Sequence, residues 1–136
     1  MSQIKVTYKG PLFKGIGNLF KQSMINSVDK ISQLVLTTAK NTLGEKKISE
    51  PKMGGILFNS IVYDIRAPIG TKVMGKVFTD VPYAKFVEND HFLVNGRMWS
   101  DVNPKAPYEF MKEGARVGNE KAGEIINQEL SKIGVI

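Results

Sequence analysis

A chain of 136 residues with 42% hydrophobic and 24% charged side chains has the size and mix of one globular domain. The absence of cysteine excludes disulfides, thiolate metal sites and thiol nucleophiles, and a single histidine excludes a multi-histidine metal site built from one copy. The net charge of +6 is unevenly spread. Residues 1–52 hold nine lysines against three acids, whereas residues 53–136 hold ten basic and ten acidic side chains, so the whole excess precedes Met53. An excess of that kind suits a polyanionic partner, or simply a solvated helix face followed by a basic loop.

No unbroken apolar stretch follows the basic Lys5, Lys9 and Lys14, and no run approaches the ~18 apolar residues that would cross a membrane. The expectation is a protein kept in a cytoplasm or in a particle assembled there, with no membrane partner. From Ile4 to Tyr8 apolar and polar residues alternate, which predicts a short strand ended by Gly10-Pro11. Phe20, Met24, Val28, Ile31 and Val35 then recur at spacings of four and three, predicting an amphipathic helix from about Asn18 to Thr42 with Gly44 as its stop. Residues 44–55, with Glu45, Lys46, Lys47, Glu50, Pro51 and a Gly54-Gly55 pair, have no apolar period and read as a flexible loop.

Ile61, Tyr63 and Ile65 alternate with Val62, Asp64 and Arg66, and a turn at Pro68 and Gly70 leads into a strand from Lys72 to Thr79 with Val73, Gly75 and Val77 on one face. Tyr83, Phe86 and Val87 suggest one helical turn. Asn95-Gly96 between Phe92-Leu93-Val94 and Arg97-Met98-Trp99 predicts a β-hairpin. A last helix is expected from Pro107, with Tyr108, Met111, Ala115, Ala122, Ile125, Ile126 and Leu130 on its apolar side. The order predicts a single α+β domain over residues 1–136, a twisted and mostly antiparallel sheet of about four to five strands with two long helices on one face.

Residue types for chemistry do not converge. Glu88, Asp90 and His91 are neighbours in a polar stretch, and Asp64, Asp80 and Glu88 with Lys85 form no compact acid-x-Lys unit, so no catalytic, metal-binding or cofactor-binding residue is assigned and no enzymatic activity is expected. Gly10, Gly15 and Gly17 lack the Gly-Lys-Ser/Thr ending of a phosphate loop. Three arginines are few for sequence-specific reading of nucleic acid.

Three segments, in order, carry a resemblance: Gly55-x-Leu57-x-x-Ser60-Ile61, then Pro82-Tyr83-Ala84-Lys85-Phe86-Val87-Glu88, then Pro107-Tyr108-Glu109-Phe110-Met111. Together they resemble the small head–tail joining proteins of tailed bacteriophages, also called neck, tail-completion or minor capsid proteins. In this chain Asn89-Asp90-His91 follows Glu88 where that family often has Gly-Thr, and the Pro-Phe-Met helix start is stretched by two residues. The resemblance implies a structural virion protein assembled in the host cytoplasm. It further implies a cyclic homo-oligomer around the DNA channel of the neck, contacting adjacent connector and tail proteins and, non-specifically, the packaged duplex. On that reading Lys40, Lys46, Lys47 and Lys52 are candidates to line the channel, and Phe92, Leu93, Val94, Met98 and Trp99 to form a subunit interface. The alternative is a small basic nucleic-acid-binding module acting as monomer or dimer.

Overall fold

The computed structural model describes residues 2–7, 17–45, 51–66, 72–103 and 105–134. Strand β1 (Ser2–Thr7) is followed by helix α1 (Gly17–Glu45), helix α2 (Pro51–Ser60), strands β2 (Val62–Arg66) and β3 (Lys72–Phe78), the short helices α3 (Ala84–Glu88) and α4 (Trp99–Val102), and helix α5 (Phe110–Lys132). The class is α+β, with two long helices packed against a small antiparallel sheet. Among the described residues the sheet has three strands in the order β1-β3-β2, fewer than the four to five expected. The shortfall has one source: the two arms expected to form a hairpin around Asn95-Gly96 make a single isolated bridge, Phe92 with Met98.

Helix α1 is a rod of about 43 Å at 1.5 Å per residue. Its stripe of Met24, Val28, Ile31, Val35, Ala39 and Leu43 is buried, as the spacing predicts. Three serines on the same helix, Ser23, Ser27 and Ser32, are buried too. Ser27 turns its hydroxyl onto the Ser23 carbonyl at 2.8 Å, while the Ser32 hydroxyl has no hydrogen-bond partner. Small side chains here let α1 lie close on β3. A Cβ at Gly75 would collide with Ser32 Oγ and come within 2.8 Å of Val28 Cγ1.

Helix α5 lies along α1 with the same economy of volume. A Cβ at Gly118 would sit 2.5 Å from Val35 Cγ2, and one at Gly114 only 2.8 Å from the Val35 carbonyl oxygen. Gly114 and Gly118, costly to a helix by propensity, therefore set the distance of α5 from α1. Buried Glu129 on α5 is held by ion pairs from Lys30 of α1 and Lys132 of its own helix. These cations, Lys30 first, hold its carboxyl below the usual glutamate range, against a desolvation effect of opposite sign.

Of the residues 44–55 read from sequence as a flexible loop, Gly44 and Glu45 are the last of α1, 46–50 lie outside the described residues, and 51–55 are the first half of α2. Pro51 takes the first helical position, where a missing N–H costs nothing. Leu57 and Ile61, four apart, are both buried in the main core beside Val77, Val87 and Tyr108. Tertiary burial of that pair outweighs the low helix propensity of Gly54-Gly55.

Candidate functional site

The three segments that carry the resemblance converge on one hydrogen-bonded frame. Ser60 donates its hydroxyl to the Leu57 carbonyl at 2.7 Å and lies 2.6 Å from the Thr79 hydroxyl. Thr79 Oγ1 accepts the Val81 N–H at 3.2 Å, and the Val81 carbonyl accepts the Ala84 N–H that opens α3. At the other end of α3 the Val87 and Glu88 carbonyls accept the N–H groups of Tyr108 and Glu109 at 2.9 and 3.2 Å. The two carboxylate oxygens of Glu88 then accept Met111 N–H at 2.8 Å and Lys112 N–H at 2.9 Å.

Glu88 is thus the cap of α5, supplied from 23 residues away, and its charge suits the positive end of the helix. This explains why α5 starts at Phe110 and not at Pro107. Tyr108 and Glu109 spend their N–H groups on α3, and Glu109 adopts a left-handed conformation (φ 47°) that ends the approach segment. Leu57, Ala84, Val87 and Met111 are buried, Ser60, Tyr83 and Pro107 half-buried. Gly55 lies within α2. Beside the cap is a pocket of about 330 Å³ lined by residues that include Val81, Ala84, Glu88, Phe110 and Met111.

Residues 90–100 form a clipped loop on this frame. The Asp90 carboxylate accepts the backbone N–H groups of His91 and Ser100, both at 3.0 Å, and the Ser100 hydroxyl. The Ser100 hydroxyl above all holds the Asp90 carboxyl below the usual aspartate range. Asp101 takes the Met98 N–H at 3.2 Å and starts α4 at Trp99, so Trp99 is helical where a strand was expected. At the turn, Gly96 alone takes a positive φ (82°), which leaves Asn95 outside the conformation a two-residue hairpin of the expected type requires.

The five residues expected at a subunit interface therefore divide. Phe92 and Val94 are exposed, at 75% and 110%, and stand at the tip of the loop. Leu93 and Met98 are half-buried, and Trp99 packs against the main core. Trp99 stacks on Tyr108 at 5.6 Å and faces His91 at 5.1 Å, and His91 in turn meets Phe86 at 5.1 Å.

Glu88, Asp90 and His91 do not act on one point. Glu88 caps α5, Asp90 holds Ser100, and His91 lies between rings with Nδ1 buried and unpaired. Asp64 of the second acidic set pairs with Arg66 on β2. Among the described residues no group of three or more His, Asp or Glu side chains could hold a metal ion, and no helix is long and apolar enough to cross a membrane.

Of the expected channel lysines, Lys40 sits with its ammonium 5.2 Å from the centre of the Phe58 ring. Lys52 belongs to the first turn of α2, its side chain outside the described set, and Lys46 and Lys47 lie outside the described residues. Sequence reasoning missed the Glu88 cap and the Asp90–Ser100 clip. The only local hint of the latter is an aspartate placed just before a histidine and a serine ten residues on. Comparison with protein-family models, with curated proteins and with solved structures finds no match to this chain.

Proposed function

We propose that this chain is a structural protein of a tailed-bacteriophage neck. In this reading it forms a ring that joins or completes the head–tail connection around the DNA channel, with no catalytic role. One observation supports the reading best. The three resembling segments, up to about fifty residues apart in sequence, are tied into a single frame, and that frame holds out a clipped loop whose apolar tip, Phe92 and Val94, is uncovered. Two large apolar side chains at the end of a braced loop suit a contact with a neighbouring subunit or an adjacent connector protein. They have no role in the subunit's own core.

The test is the composition and architecture of purified virions. The protein should be found in them at the copy number of one ring, with cryo-EM density at the head–tail junction and residues 92–94 against a neighbour. Phe92→Ser with Val94→Asp should leave the circular dichroism spectrum and melting temperature of the free subunit unchanged and abolish incorporation. Absence of the protein from purified virions overturns the reading.

A further inference from the structure

The two faces of the sheet differ in character. Val73, Gly75 and Val77 of β3, with Tyr63 and Ile65 of β2, face α1 and are buried or half-buried. The opposite face has Lys72, Met74, Lys76 and Phe78 on β3 and Val62, Asp64 and Arg66 on β2, and among the described residues no helix covers it. The register sets Arg66 opposite Met74 and Asp64 opposite Lys76.

We propose that this open face docks the sugar–phosphate backbone of duplex DNA, with Lys72, Lys76 and Arg66 as the phosphate contacts. The argument is charge complementarity. Among the described side chains of this face, three exposed cations stand against one carboxylate, Asp64. Lys72 and Lys76 have no carboxylate partner among the described residues, and Lys76 lies instead over the Phe78 ring at 4.9 Å. The Arg66–Asp64 pair at 3.2 Å is exposed on both sides and therefore weak, so Arg66 is free to turn to a stronger anion.

The long helix behaves differently. Every cation on α5 has a carboxylate: Lys112 with Glu109, Arg116 with Glu113 and Glu120, Lys121 with Glu124, Lys132 with Glu129. Lys30 on α1 is paired with Glu129 as well. Among the described residues Lys21, Lys40, Lys85, Arg97 and Lys105 outside the sheet also have no ion pair, so what sets the open face apart is that its cations stand together on one surface.

The geometry suits a backbone. Lys72 and Lys76 are four residues apart on one strand, about 13 Å at the usual rise, close to the roughly 12 Å width of a major groove between its two phosphate strands. Arg66 lies one strand over, level with the point midway between them, and a cleft of about 200 Å³ lined by Asp64, Arg66, Met74 and Lys76 leaves room for a phosphate group. With one arginine and one aromatic ring, the face has few groups to read or stack bases, so binding is independent of sequence. The choice of duplex over other polyanions rests on the neck reading. The location of the contact does not.

The experiment measures fluorescence anisotropy of a short labelled DNA duplex of mixed sequence with the purified full chain. Wild type should bind, with affinity falling steeply between about 50 and 200 mM salt. Lys72→Gln and Lys76→Gln, both at exposed positions, should each lower the slope of log affinity against log salt by about one, and both together with Arg66→Gln should weaken binding at least tenfold. Lys112→Gln with Lys121→Gln, removing paired cations on α5, should change nothing.

No binding by wild type at low salt overturns the proposal. So does a triple variant that binds as wild type, a loss produced by Lys40→Gln instead, or retention on acidic phospholipid vesicles without duplex binding. Duplex binding through this face by a protein absent from virions refutes the neck reading alone. A protein found in the neck that ignores duplex DNA refutes this proposal alone.

Discussion

Alanine at three glycines of α5 should move stability in opposite directions. In a helix interior Gly→Ala gains about 1 kcal/mol from backbone propensity alone. At Gly123 a Cβ meets no atom within 4 Å, so Gly123→Ala should keep that full gain. At Gly118 the new Cβ would stand 2.5 Å from Val35 Cγ2, and a valine in a helix has one strongly preferred rotamer, so it cannot swing aside. At Gly114 the obstacle is the Val35 carbonyl oxygen at 2.8 Å, part of the α1 backbone itself. Overpacking of this kind costs about 1–3 kcal/mol, which cancels or exceeds the propensity gain. The expected order of stability is Gly123→Ala, wild type, then Gly118→Ala and Gly114→Ala, the last two below wild type by up to about 2 kcal/mol. In thermal melts this is a rise of about 3–5 °C for the first and a fall of similar or greater size for the others. Equal stabilisation by all three substitutions would refute the close approach of α1 and α5.

Glu88→Ala removes the carboxylate that caps α5 and should cost about 1 kcal/mol in urea denaturation, with faster amide exchange at Met111 and Lys112. Unchanged exchange at those two amides contradicts the cap. Ser32→Ala removes a buried hydroxyl without a partner and should leave the protein as stable as wild type or about 1 kcal/mol more so, measured the same way. Asp90 and Glu129 both have folded-state pKa values held below those of the unfolded chain, so the unfolded state takes up protons first as pH falls. Their contribution is complete above about pH 4–5 and is lost on acidification through the folded values. Melting temperature should therefore drop across that acid range, and Glu129→Gln should be less stable at neutral pH with a flatter acid limb.

The long elements were legible because their signals are local. The stripe on α1, the alternation on β3 and the apolar series on α5 need only the neighbouring residues to be read. What stayed hidden depends on distant partners. Residues 51–55 look like a loop by composition and are helical because Leu57 and Ile61 enter a core built from β3, α3 and the approach to α5. The start of α5 moved three residues because Glu88 and the α3 carbonyls take over its first N–H groups. Asn95-Gly96 is a strong hairpin signal, yet Asp101 and the Asp90–Ser100 clip turn the second arm into a helix at Trp99. The open-face cations were half visible. Alternation already set Lys76 opposite Val77, but only the strand order brings Arg66 beside Met74.

That division bears on where function is to be sought. Tyr83, Ala84, Val87, Glu88 and Met111 carry the resemblance, and each is committed to the interior or to a backbone hydrogen bond. Residues so committed shape a subunit and have little left to recognise a partner with. Recognition then falls to side chains the frame positions but does not consume, namely Phe92 and Val94 at the loop tip and Lys72, Lys76 and Arg66 on the sheet. The two sets are chemically unlike, one apolar and one cationic, and so suit two different neighbours. A subunit in a ring around DNA meets both kinds, protein at its sides and phosphate at its lumen. If the tip faces protein and the sheet faces DNA, Val94→Asp should abolish assembly without touching the salt dependence of duplex binding, and Lys76→Gln should do the reverse.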